Sequence, residues 1–178
     1  MNLLLILISV SIVGCNLHPD EGMKEVSKRR EEILSVFRNV SVFRKRTGDY
    51  IFLHSYKDGK KNEYVFGKDQ GKYSLFRDTL LFSPDKVLNI ASDRGNPDYK
   101  QQLNQKLVFY LGKMDSLSIS DVSSDFIPQG ITLKVYMKSK AVLVYAANPN
   151  SVTNPEWVNY LKSMKKIDDH WYYSKQDQ

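Results

Sequence analysis

The chain has 178 residues, with 26 Lys and Arg against 20 Asp and Glu, 42% apolar and 12% aromatic side chains, and one cysteine. That length fits a single domain, able to bury about 70% of its unfolded surface without disulfides or a metal. The composition excludes wholesale disorder, one cysteine excludes an internal disulfide, and one long apolar run argues against a multi-span membrane protein.

The apolar run opens the chain. Met1 to Gly14 carry no Asp, Glu, Lys, Arg or His. The stretch Leu3 to Val13 is too short for the roughly 20 residues of a membrane-spanning helix and matches the ~7–15 residues of a signal-peptide h-region. It ends in Ile12-Val13-Gly14-Cys15, which resembles the lipobox of bacterial lipoproteins. The resemblance covers only these first residues, and the stretch before the lipobox lacks the Lys or Arg such signals carry. It implies that residues 1–14 are a signal peptide cut between Gly14 and Cys15. Cys15 would then bear a diacylglyceryl thioether on its sulfur and an acyl group such as palmitate on its nitrogen. An ordinary secretory signal, or a buried strand with an incidental cysteine, is the other reading. Each buried methylene contributes about 0.8 kcal/mol, so two or three acyl chains hold a membrane essentially permanently. Residues 15–22 read as a lipidated tether whose seven residues after Cys15 reach at most about 25 Å. By the same resemblance, Asn16 in place of the Asp that favours inner-membrane retention points to the outer membrane, with the domain facing the periplasm or the cell surface.

Residues 23–178 read as one α+β domain. A helix is expected from about 20 to 38, where Pro19 and acids open an apolar periodicity through Met23, Val26, Ile33, Leu34, Phe37 and Val40. Strands follow over Val40–Arg46, Tyr50–Tyr56, Asn62–Gly67 and Lys72–Arg77, with Asp58-Gly59 as a type I′ hairpin turn and Asp69-Gln70-Gly71 as the next turn. Ser83-Pro84-Asp85 reads as the start of a short helix through Ile90. Asn96-Pro97-Asp98 and Asn154-Pro155-Glu156 both read as capped helix starts. The first leads into Leu103, Leu107, Tyr110, Leu111 and Met114 on one face, the second into Trp157, Val158, Leu161 and Met164. Between them Ile131 to Lys138 alternate as a half-buried strand, and Ala141 to Ala147 have no polar face, which marks a central strand covered on both sides. Ser116–Val122 and Trp171–Ser174 are weaker strands. The expected architecture is an antiparallel sheet with three to four helices packed on it, an order shared by cystatin-like and other helix-plus-meander folds.

Motifs for chemistry are scarce. The histidines, His18, His54 and His170, are scattered, and no short-spaced metal-ligand pattern, P-loop or dinucleotide fingerprint occurs, so no metal or cofactor is expected. His170 has the most chemical neighbourhood, after Asp168-Asp169 and before Trp171-Tyr172-Tyr173. Ser83-Pro-Asp-Lys86 and Ser163-Met-Lys-Lys166 match S-x-x-K, and Arg46-Thr47-Gly48 is similar to the K-T-G element of penicillin-binding enzymes, but that element should follow the serine and S-D-N is absent. Ser83 reads instead as a helix cap and Ser163 as the polar side of a helix. No catalytic residue is assigned.

Charge is more informative. Lys24 to Arg46 hold eight basic and three acidic residues, a net +5 of the chain's +6. Placed just after the anchor, Lys24, Lys28, Arg29 and Arg30 are candidates for contact with anionic head groups, at about 1 kcal/mol each, or form a solvated helix face of Glu–Lys pairs. Nucleic acid is not expected as a partner of an envelope protein. The aromatic runs Tyr50 to Tyr56 and Trp171 to Tyr173 are either core or a recognition surface. The functional expectation is a non-enzymatic, lipid-anchored domain that binds a protein or an envelope component, as an inhibitor, an immunity-type protein or an assembly accessory. A hydrolase of envelope polymers, its acids brought together only by folding, is the alternative.

Overall fold

The computed structural model describes residues 19–45 and 48–175, with side chains from residue 28 on. The expected signal peptide, Cys15, most of the tether and His18 lie outside the described residues. Helix α1 (Pro19–Phe37) begins within the segment expected to be tether. It buries Ile33 and Phe37, one turn apart on one face, and ends where Asn39 takes a φ of +66° and turns the chain into β1 (Val40–Lys45). Strand β2 (Tyr50–Lys57) pairs with all of β1. Asp58 and Gly59 both have positive φ, +50° and +73°, as a type I′ turn requires, and lead into β3 (Lys60–Asp69). Gln70 and Gly71 repeat that turn and lead into β4 (Lys72–Thr79).

Residues 80–97 correct one expectation. No helix forms between Ser83 and Ile90; the segment is irregular, closed by Ile90 N donating to Asp85 O at 2.8 Å. The reason is tertiary. The Asp85 carboxylate does not serve a helix start; it is buried beneath the sheet, where Oδ2 accepts from Ser55 Oγ at 2.5 Å, Tyr64 OH at 2.6 Å and Asn62 Nδ2 at 3.0 Å, and Oδ1 from Leu88 N at 3.1 Å. Asn62 also takes the Leu81 and Phe82 N–H groups on its side-chain oxygen. These bonds pin Leu88 and Ile90 into the core and outweigh a marginal short helix.

Helix α2 (Asp98–Ser116) starts as expected, with the Asn96 side chain accepting from Asp98 N at 2.9 Å, and buries Tyr99, Leu103, Leu107, Tyr110 and Met114. Ser118, with a φ of +54°, repeats the role of Asn39 and leads into β5 (Ile119–Ser123). Then come β6 (Leu133–Met137), β7 (Ala141–Tyr145), α3 (Pro155–Ser163), the two-residue β8 (Lys165–Lys166) and β9 (Trp171–Lys175).

The strands form one antiparallel sheet in the order β4-β3-β2-β1-β5-β6-β7-β9-β8, and with three α-helices among the described residues the domain is α+β. Helices α1 and α2 lie on one face, over a core running from Ile51 and Leu53 to Leu143 and Trp171. Helix α3 lies on the other face, over Val142 and Val144. Strand β7 is thus covered on both sides, Ala141 and Leu143 toward one core and Val142 and Val144 toward the other. The chain has run helix then meander twice, and the two runs meet where Val42 of β1 faces Val122 of β5. A half-turn normal to the sheet at that pair carries β1-β2-β3-β4 onto β5-β6-β7-β9, and sets Phe52 in the place of Lys134 and Val65 in the place of Val144.

Candidate functional site

The two halves differ in what covers the face turned away from α1 and α2. Helix α3 roofs the second half; over the first no described helix lies, and Asp125 of the β5–β6 connection reaches it only at Ser41 and His54. Alternation on β2 therefore puts Tyr50, Phe52, His54 and Tyr56 on the face without a helix, the three rings half-buried and His54 buried, while Ile51 and Leu53 go to the core. Phe43 of β1 stacks on Phe52 with centroids 5.3 Å apart. On β3 and β4 the register shifts, so that Val65 faces Arg77 and Phe66 faces Leu75. The bulged residue is Phe76, 71% exposed and edge-on to Tyr50 at 6.2 Å. Lys45 Nζ sits 4.9 Å from the Phe52 ring centre. Lys45, Tyr50, Phe52, Val65, Phe76 and Arg77 line a hollow of about 310 Å³.

Further along the same face, Ser41, His54 and Glu63 stand in one row across β1, β2 and β3. His54 is 2% exposed. Its Nδ1 shares a 3.1 Å hydrogen bond with Tyr56 OH and lies 3.7 Å from Asp125 Oδ1. Its Nε2 is 3.2 Å from Glu63 Oε2 but out of line for a hydrogen bond. Glu63 also pairs with Arg77 at 3.2 Å and Lys61 at 3.7 Å. The row has the residue types of a hydrolytic triad without its geometry. Ser41 Oγ is fully buried, accepts from Ser124 N at 2.7 Å and lies 3.2 Å from Asp125 Oδ1, so it is held by groups other than the imidazole. Beside this row is a surface hollow of about 680 Å³ lined by Tyr56, Lys61, Lys86, Asp58 and Asp125 among others.

The residues singled out in the sequence are dispersed by the fold. Gly14 and Cys15, the side chain of Lys24, and Arg46 and Thr47 lie outside the described residues. Lys28 is exposed. Arg29 donates to Ser116 O at 2.7 Å and pairs with Glu32, and Arg30 Nε is 3.1 Å from Asp168 Oδ2, so both arginines tie α1 to the second half of the chain. Glu32 in turn bonds Lys113, which with Arg29 holds the Glu32 carboxyl below the ordinary carboxylate range. Asp168 organises the turn before β9, accepting from His170 N at 2.8 Å and Trp171 N at 2.9 Å. His170 approaches Tyr145 at 6.0 Å and remains an exposed turn residue. Ser83 caps no helix, and Ser163 is exposed at the end of α3 with its hydroxyl donating to Tyr160 O. Trp171 is 1% exposed and belongs to the core, so of the two aromatic runs only the first presents an aromatic face.

Phe76 was not visible beforehand because a bulge cannot be read from alternation; Glu63 and Asp125 were not, because only strand register brings them to His54. Among the described residues no group of three or more His, Cys, Asp or Glu is placed to hold a metal ion, and no helix is long and apolar enough to cross a membrane. Set against known proteins, the chain matches no family model, no curated protein and no solved structure.

Proposed function

We propose that this chain is a lipid-anchored protein of the bacterial envelope whose folded domain is a non-enzymatic binding module, of the inhibitor, immunity-type or assembly-accessory kind. One observation carries the binding half of the reading: the aromatic face of Phe43, Tyr50, Phe52 and Phe76, which no described helix covers where α3 covers the other half of the sheet. Half-buried aromatics clustered around an exposed Phe76, beside Lys and Arg, have the composition of interface hot spots. The anchor half rests on Ile12-Val13-Gly14-Cys15 and the outer-membrane preference on Asn16.

Two experiments test it. Cells labelled with a clickable fatty acid should label the wild type and not Cys15→Ser; equal labelling overturns the anchor. A photoreactive benzoyl-phenylalanine at position 76 should form a protein adduct in living cells that the same group at Val108, exposed on α2 in the other layer, does not. Absence of an adduct specific to position 76 overturns the binding reading. A second reading, hydrolysis of an envelope polymer, is favoured by the hollow that holds both Asp58 and Asp125. Release of soluble fragments from purified envelope glycan by wild type and not by Asp125→Asn would establish it in place of the first.

A further inference from the structure

The chemistry of the occupant follows from comparing the two halves of the sheet, and the inference rests on the binding reading above. In the half-turn relation, Phe52, Val65 and Arg77 stand on the first half where Lys134, Val144 and Tyr172 stand on the second. That second position is occupied by α3. Trp157, Val158 and Leu161 pack with Val142, Val144 and Tyr172, and the Lys134 ammonium lies 5.5 Å from the Trp157 ring centre and 4.8 Å from that of Tyr160. The chain supplies that helix because residues 146–170 separate β7 from β9. Between β3 and β4 there are only Gln70 and Gly71, so no helix reaches the first half from its own connection.

The uncovered seat is also charged. Val65 floors it, Phe43 and Phe52 form a stacked platform, Phe76 and Tyr50 make a wall, and Lys45 and Arg77 border it. Glu63 is the acid beside Arg77, and it is already shared with Lys61. Among the described residues Lys45 has the Phe52 ring and no carboxylate. An occupant bringing carboxylates would meet cations with little competition, whereas a second copy of a chain with net charge +6 would bring mostly like charge. We propose that the open face of β1–β4 is the seat of an acidic amphipathic helix of a partner protein. The helix lies over Phe52, Val65 and Phe76 as α3 lies over Val142 and Val144, its carboxylates reaching Lys45 and Arg77.

The test uses the full chain reconstituted in phosphatidylcholine nanodiscs. The probe is a designed peptide of about 18 residues, long enough to be helical, with Leu and Phe at i, i+3, i+4 and i+7 and Glu elsewhere. Its binding is followed by fluorescence anisotropy and its position by photo-crosslinking from residue 76. The ordered peptide should bind, crosslink from position 76 and not 108, and weaken about tenfold or more in Lys45→Glu/Arg77→Glu and in Phe76→Ser. All three side chains are exposed, so unchanged melting of these variants is expected and is checked. Equal binding of a scrambled peptide of the same composition, or binding indifferent to these substitutions, overturns the proposal. A third arm uses nanodiscs containing phosphatidylglycerol. Lipid adducts from position 76 together with loss of peptide binding would make the face a membrane-contact surface and also overturn it. Any of these results alongside a partner adduct at position 76 in cells leaves the binding reading standing and removes only the helix; no such adduct removes both.

Discussion

Asp85 shows how one side chain ties the connection before α2 to β2 and β3. A carboxylate out of water is tolerable only with donors around it, and Ser55, Asn62, Tyr64 and the Leu88 N–H supply four. Removing it strands those donors in the core at about 1–3 kcal/mol apiece before any relaxation. Asp85→Ala should therefore lower stability by about 3–5 kcal/mol, read as the urea midpoint at unchanged slope; a loss under 1 kcal/mol would mean that the segment 80–97 is held by apolar packing alone. The surrounding tyrosines make the same region sensitive to base. Burial, followed by the Asp85 charge, pushes the Tyr110 hydroxyl up to about 12. Burial followed by the hydrogen bond to Asp85 raises Tyr64 further, and burial with the Asp78 charge raises Tyr99. Each raised phenol keeps its proton in the folded state after the unfolded chain has lost it. Their contribution is thus complete below pH 10, the ordinary tyrosine value, and declines above it by about 1.4 kcal/mol per pH unit per tyrosine until the folded value is reached. Unfolding in urea between pH 8 and 11.5 should show stability level and then falling from pH 10, with a shallower fall in Tyr110→Phe.

Elements were readable wherever the deciding interaction is local. Asp58-Gly59 needs only its own φ angles, and Asn154 needs only the N–H groups of Glu156 and Trp157, which its side chain accepts; turn and helix start both formed as their sequences predict. The segment Ser83–Ile90 has equally good local chemistry and did not form a helix, because its acid bonds to side chains on β2 and β3. The open face was half legible for the same reason: period-two alternation puts Tyr50, Phe52, His54 and Tyr56 together, while the bulge at Phe76 and the row through Glu63 depend on pairing between strands. Two glycines separate the local from the tertiary contribution. Gly59 has a φ of +73° and open space where a Cβ would be, so Gly59→Ala should cost about 1 kcal/mol, the left-handed penalty alone. Gly130, at +84°, ends the short 3-10 turn Ile127–Gln129, and a Cβ there would stand 3.1 Å from Val152 Cγ2 and 3.3 Å from its Cα. Gly130→Ala should cost more, about 2–3 kcal/mol, and equal melting of the two variants would show that the Val152 segment yields freely.

At the scale of the whole molecule, two helix-plus-meander runs invite the idea of two folding units, and the packing argues against it. The seam in the sheet is the pairing of β1 with β5, centred on Val42 and Val122, but the layer above it is continuous. Phe37 of the first run meets Tyr110 of the second with ring centres 5.9 Å apart. Helix α1 is tied by Arg29, Arg30 and Glu32 to Ser116, Asp168 and Lys113, all in the second run. One apolar core holds Ile33 and Leu53 together with Leu107, Val135 and Trp171. Cut apart, each run keeps its local turns and loses the opposite wall of that core, at a length where a chain buries only about 60% of its surface. A protease site engineered between Asp93 and Arg94, in an exposed stretch of the connection, should therefore give a nicked protein that stays assembled on size-exclusion chromatography and melts once. Its two fragments, separated in denaturant and returned singly to buffer, should show the far-ultraviolet circular dichroism of unfolded chains, and mixed in equal amounts should regain the native spectrum. A fragment that melts cooperatively alone would show that the two runs are independent domains and that the shared core is a docking surface between them.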